Sequence, residues 1–355
     1  MADLIRGMDV SSYFEMKDKG VRYYDEAGKE VDVLEYAVKR GFNFARTRLW
    51  NEPEKVPESG GYCNLEKTIQ LAKRFVELGI GFVLDFHYSD FWADPGAQRK
   101  PDAWKDLSVD ELEEAIYQYT KDCLNVMDEA GVYPTMVQVG NEIRCGILFP
   151  DGMLFADEEK FPSAKVPNWD NLARFLNAGI RAVRDTQKGR DTKVILHLDH
   201  GGNHGFFKDF FDNIIENGVR DFDVIGLSYY PFWHGTFGDF EDNLNKLVDL
   251  YGKELLIMET AYAFRRSESS FFGEELEKAA GYPAKEDSQK AVLERIIGII
   301  SDVKDNKGLG YIYWEPFVRM PEESTEWGTC MALMDENGRP TKGYEAVKYQ
   351  KKVAK

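Results

Sequence analysis

The sequence predicts an α/β fold, a single (β/α)8 TIM barrel spanning residues 1–355. Three observations predict it. Eight short runs are mostly apolar on both faces, as strands of a parallel sheet covered by helices must be. Segments of helical periodicity lie between them with start and stop residues of their own. No linker rich in Gly, Pro or Ser and no jump in composition divides the alternation into two domains.

The strands are read from LIRGMDV, FNFARTRLW, GIGFVLDFHY, TMVQVGNEI, KVILHLDH, DVIGLSYY, LLIMETAY and GLGYIYWE, in chain order. Between the third and fourth, Ser108 with Glu111 forms a capping box ahead of a helix running to about Ala130. Asn64 opens an earlier helix through Leu78, with Gly79 as its stop. Further helices are expected over Asn168 to Gln187, Phe206 to Asn217, Phe240 to Tyr251, Asp287 to Lys304, and Thr341 to the C-terminus. A doubly wound open sheet competes with the barrel, but no GxGxxG follows the first strand.

Composition narrows the function. The chain is 43% hydrophobic and 14% aromatic, and its 62 acidic against 45 basic residues give a net charge of −17. That charge opposes binding to nucleic acid or to an anionic membrane surface. No apolar run approaches the roughly 18–20 residues of a membrane span, and MADLIRGMDVSSY lacks the apolar stretch of a signal peptide. The expectation is a cytoplasmic protein; the same start left by removal of a secretion signal would make it a secreted one. Cys63, Cys123, Cys145 and Cys330 are scattered, so neither a disulfide framework nor a zinc site is indicated.

In such a barrel the active site lies at the C-terminal ends of the strands. These ends supply Asp9, Arg46, Arg48, Asp85, His87, Asn141, Glu142, His197, Asp199, Tyr229, Tyr230, Glu259, Trp314 and Glu315. Glu142 ends the fourth strand and Glu259 the seventh. Two carboxyls so placed suit the cutting of a glycosidic bond, one protonated and one ionised. Arg48 and the Tyr229 hydroxyl are the expected partners of Glu259, and Asn141 would hydrogen-bond the sugar beside the acid. Aromatic rings such as Trp92 and Trp233 in the same loops suit the apolar faces of sugars. The mechanism needs no metal and no cofactor.

GMDVSSY, RTRLWN, DFHYSDFWADPGAQ, QVGNEI, YYPFW, METAY and YWEP, in this order and spacing, resemble the endo-β-1,4-galactanases of glycoside hydrolase family 53 across nearly the whole chain. The resemblance implies that Glu142 is the general acid/base and Glu259 the nucleophile. It also implies that Asn141, Arg48, His87, Tyr229 and Trp314 shape the sugar site at the scissile bond, with Trp92, Asp94 and Trp233 as cleft walls. Asp9, His197 and Asp199 complete the candidate substrate-binding set from the strand ends. The implied substrate is the β-1,4-linked galactan of pectin side chains, cut internally with retention; a monomer is expected. Many bacterial members carry a calcium-binding loop after strand seven; here that region reads AFRRSESSFFGEEL, with two arginines where cation ligands are needed, so no structural calcium is expected.

Three rivals stay open at this point. Another retaining barrel glycosidase, such as an exo-acting galactosidase, a mannanase or a glucanase, would carry the same two glutamates. A metal-dependent hydrolase is suggested by His87, His197, Asp199, His200 and His204, although residues at i and i+3 on a strand point to opposite faces. A non-catalytic sugar-binding barrel would be expected to have lost one glutamate.

Overall fold

The eight expected strands are all present in the computed structural model, which describes residues 3–267, 271–319 and 326–349. They are β1 (Ile5–Asp9), β2 (Phe44–Leu49), β3 (Gly81–Phe86), β4 (Met136–Val139), β5 (Lys193–Leu198), β6 (Val224–Ser228), β7 (Glu254–Thr260) and β8 (Gly308–Tyr313). They close a barrel in which β1 pairs in parallel with both β2 and β8. The register sets Asp9 against Arg46 and Phe86 against Val139. Strands buried on both faces explain why the sequence shows apolar runs rather than alternation.

The helices begin where their caps dictate. α1 (Tyr13–Asp18) and α2 (Val33–Arg40) follow β1, and α3 (Leu65–Glu77) follows β2. The Asn64 side chain accepts the Lys67 N–H at 2.8 Å to open α3. α4 (Val109–Glu129) starts at the Ser108–Glu111 capping box. α5 (Trp169–Arg184) and α6 (His204–Glu216) follow β4 and β5. α7 (Phe237–Tyr251) opens three residues before Phe240 because Thr236 and Asp239 form a second capping box. α8 (Glu274–Ala280) and α9 (Glu286–Ser301) follow β7.

Several helices differ from expectation, among them α1, α2 and α8, which fall outside the expected set. α2, the helix between the first two strands, has only eight residues and follows a short hairpin of Tyr23–Tyr24 with Glu30–Val31, so its period was too brief to stand out. Its signals are local: Asp32 caps it by accepting the Glu35 N–H at 3.0 Å, and Gly41 ends it at φ 118°. After β8 and α10 (Glu326–Cys330), the helix expected from Thr341 onward is α11 (Gly343–Ala346); residues 350–355 of that segment lie outside the described residues.

By compactness the chain divides into two units, 1–46 with 200–204 and 227–355, and 47–199 with 205–226. In the first, Tyr344 of α11 packs edge-on against Tyr36 and Phe42 at 5.4 and 6.0 Å between ring centroids. In the second, α4 and α5 lie together, and Leu124, Phe175, Val83 and Val137 are completely buried. Each such side chain contributes roughly 1.5–3 kcal/mol by leaving water.

Candidate active site

Within the first unit, the chemistry gathers on a buried cation. Arg46 Nη1 donates to Asp9 Oδ2 at 3.0 Å and to Glu259 Oε1 at 2.8 Å. Asp9 and Arg46 are each only 1% exposed, and an ion so buried is tolerated only when paired. The Ser11 N–H and hydroxyl both donate to Asp9 Oδ1, at 3.1 and 2.7 Å. Asp9, expected to bind substrate, is therefore placed to hold Arg46. The second oxygen of Glu259 accepts the Tyr230 hydroxyl at 3.1 Å.

That hydroxyl was expected from Tyr229, and the pleat explains the difference. Side chains alternate along a strand, so Tyr230 shares a face with Ser228 while Tyr229 takes the other. Tyr229 stacks on Phe240 of α7, centroids 3.9 Å apart, and donates its hydroxyl to Gly235 O at 3.1 Å. Burial pushes its ionisation up, so it is a structural phenol turned toward the helix layer.

Beyond the strand ends of this unit lie aromatic side chains. Trp233 is 47% exposed and meets Phe232 and Tyr230 at 4.7 and 5.7 Å. Trp314 meets Trp327 edge-on at 4.6 Å and accepts its indole N–H at 3.3 Å. Buried Glu315, at φ 48°, accepts the Ser12 hydroxyl at 2.8 Å.

Within the second unit, QVGNEI leaves β4 by a sharp turn. Gly140 has φ 79°, and a Cβ there would lie 2.6 Å from Ile143 Cγ2, so only glycine fits. Glu142 follows in the left-handed region at φ 46° and ψ 53°, which costs an L-residue roughly 1–2 kcal/mol. Asn141 is held on every side: its Nδ2 donates to Ala93 O at 2.8 Å, and its main-chain carbonyl accepts Gln98 Nε2 at 2.7 Å. Its Oδ1 lies 3.1 Å from Gln138 Nε2 and 3.0 Å from His197 Nδ1. A ring nitrogen of His197 and a carboxylate oxygen of Glu142 lie within 4.8 Å of one another.

His87 is fixed as one tautomer. Its Nδ1 accepts the Trp50 indole N–H at 3.2 Å and the Ala93 N–H at 3.1 Å, so the hydrogen sits on Nε2, 3.1 Å from Asp85 Oδ2. Arg48 stands over the Trp92 ring at 4.0 Å and over Trp50 at 5.3 Å, which orients the half-exposed Trp92 by cation–π attraction. Asp94 is exposed and turned back on Gly96 N–H at 2.7 Å. Asp199, expected to meet sugar, instead grips Arg144 through two bonds of 2.7 and 3.1 Å. Burial alone would weaken the charge on Arg144, but Asp199, with Glu142 at longer range, outweighs it and raises its pKa.

The cation recorded on Glu259 is Arg46 where Arg48 is expected, and the Asn141 amide donates to Ala93 O where a sugar is expected; Gln138 and Gln98 lie outside the expected set. Gln138 had a signal, a lone amide in an otherwise apolar MVQV strand. Gln98 had none, since its target is a main-chain carbonyl 43 residues away. In the loop after β7, Arg266 pairs with Glu277 at 3.0 and 2.6 Å; residues 268–270 of that loop lie outside the described ones.

A family model described as "Glycosyl hydrolase family 53" matches residues 5–345. The chain is 34% identical over 320 residues to an endo-beta-1,4-galactanase of Bacillus subtilis, covering 88% of this chain and 70% of that one. It is 38% identical over 354 residues to an uncharacterized protein of Niallia circulans, covering 97% and 93%. Among solved structures, the Ignisphaera aggregans GH53 catalytic domain superposes with a TM-score of 0.87 at 36% identity, covering 98% of this chain and 96% of that one. The chain belongs to glycosyl hydrolase family 53 and is a glycoside hydrolase built on a (β/α)8 barrel.

Proposed function

We propose that the protein is an endo-β-1,4-galactanase that cuts internal bonds of galactan by double displacement, as a monomeric single catalytic domain over residues 1–355. The observation that carries the reading is the pair of glutamates at the carboxyl ends of β4 and β7, in a chain 34% identical to an endo-beta-1,4-galactanase. Glu142 donates a proton to the glycosidic oxygen while the Glu259 carboxylate attacks the anomeric carbon, breaking the bond to the leaving sugar. Arg46 and the Tyr230 hydroxyl, one on each oxygen, favour Glu259 as an anion aimed for attack. Glu142 then takes a proton from water, which displaces Glu259 and restores the β-configuration.

A neutral polysaccharide suits a chain of net charge −17, which repels nucleic acid and anionic lipid. Among the described residues no helix is long and apolar enough to cross a membrane. Proton NMR during galactan cleavage tests the mechanism: the β-anomer should appear first, and Glu259→Ala should abolish turnover with the fold intact. An initial α-anomer, or a fully active Glu259→Ala, would contradict it.

A further inference from the structure

We propose that Arg144 and Phe206 form the subsite for the leaving sugar, with Asp199 as the residue that positions the arginine. The inference rests on Glu142 being the general acid/base. An acid that protonates the glycosidic oxygen has the leaving sugar as its next neighbour, so a side chain two residues further along the same turn is placed to meet that sugar.

Three features make Arg144 more than a structural ion pair. Its guanidinium is oriented by a two-point grip, Nε and Nη2 on the two oxygens of Asp199, whose side chain is 6% exposed. The Arg144 side chain is itself 24% exposed, and among the described residues no acceptor takes a hydrogen from Nη1. The guanidinium lies 4.7 Å from the ring of Phe206 at the start of α6, and that phenylalanine is 40% exposed. An oriented planar donor beside an open aromatic ring offers what a pyranose needs, hydrogen bonds to its hydroxyls and an apolar surface for its C–H face.

The same geometry selects a neutral sugar over an acidic one. Asp199 already neutralises Arg144, and the remaining charge of the molecule is strongly negative. A uronate would find no net positive field here, whereas a galactose hydroxyl needs only the N–H.

The test compares two substrates of the intact enzyme. β-1,4-Galactotetraose leaves a sugar behind the cut; β-1,4-galactobiosyl fluoride leaves a fluoride ion too small to make these contacts. Arg144→Ala should lower kcat/KM on the tetraose about tenfold more than on the fluoride substrate, the loss of one charge-assisted hydrogen bond. Phe206→Ala, at the surface and without effect on the Asp199 pair, should shift the same ratio in the same direction. Arg144→Lys should fail to restore it, because the forked geometry is lost. Equal losses on both substrates, or an unchanged ratio in both Arg144→Ala and Phe206→Ala, would overturn the subsite. A wild-type enzyme that turns over neither substrate would overturn the galactanase reading, and this inference with it.

Discussion

At the residue scale, the buried network around Glu259 separates two adjacent tyrosines by the pleat alone. Tyr230 donates to the carboxylate, whereas Tyr229 serves the helix layer. Tyr230→Phe should lower kcat on galactan by about tenfold, as expected for a lost hydrogen bond to a charged group. Tyr229→Phe should instead cost about 1 kcal/mol of stability, read by chemical denaturation, with kcat little changed. The reverse pattern would contradict the assignment. Both tyrosines were legible in YYPFW as strand-end residues; which one faces the carboxylate depends on register, and a slip of one residue exchanges the faces. Asp9 shows the same limit. Its place at a strand end was legible, but not that Arg46 and Ser11 occupy its oxygens.

At the element scale, helix starts were legible where a capping side chain precedes a long periodic segment, as at Asn64 and Ser108, but not at the equally capped starts of α2 and α7. In α2, eight residues give too few turns for a period to show. The loop after β7 yields a pH prediction. The Arg266 guanidinium and the Ala284 N–H hold Glu277 below the ordinary glutamate value of 4.5. A carboxyl lowered on folding contributes stability above its unfolded value and loses it as the pH falls through the lower, folded one. Arg266 is 57% exposed, so the contribution is screened and local. Hydrogen exchange at the Ala284 amide should therefore accelerate below pH 4.5 in the wild type, beyond the intrinsic rate change. An acid-insensitive protection factor would contradict the Arg266–Glu277 clip.

At the scale of the whole molecule, the strand plan was legible because the strands are buried on both faces and read as mostly apolar runs. The same plan makes polar interruptions informative. Arg46 in FARTRL and Gln138 in MVQV are costly inside a barrel, and each is repaid by a carboxylate or an amide at the strand ends. What composition and pattern could not fix was the sugar, since two glutamates on β4 and β7 serve many linkages. The direct measurement is product analysis of the purified protein on β-1,4-galactan, mannan and β-glucan, with Glu142→Ala and Glu259→Ala alongside. A ladder of galacto-oligosaccharides from galactan alone, lost in both variants, is the predicted result; galactose released only from chain ends, or cleavage of mannan or glucan in preference to galactan, would contradict it.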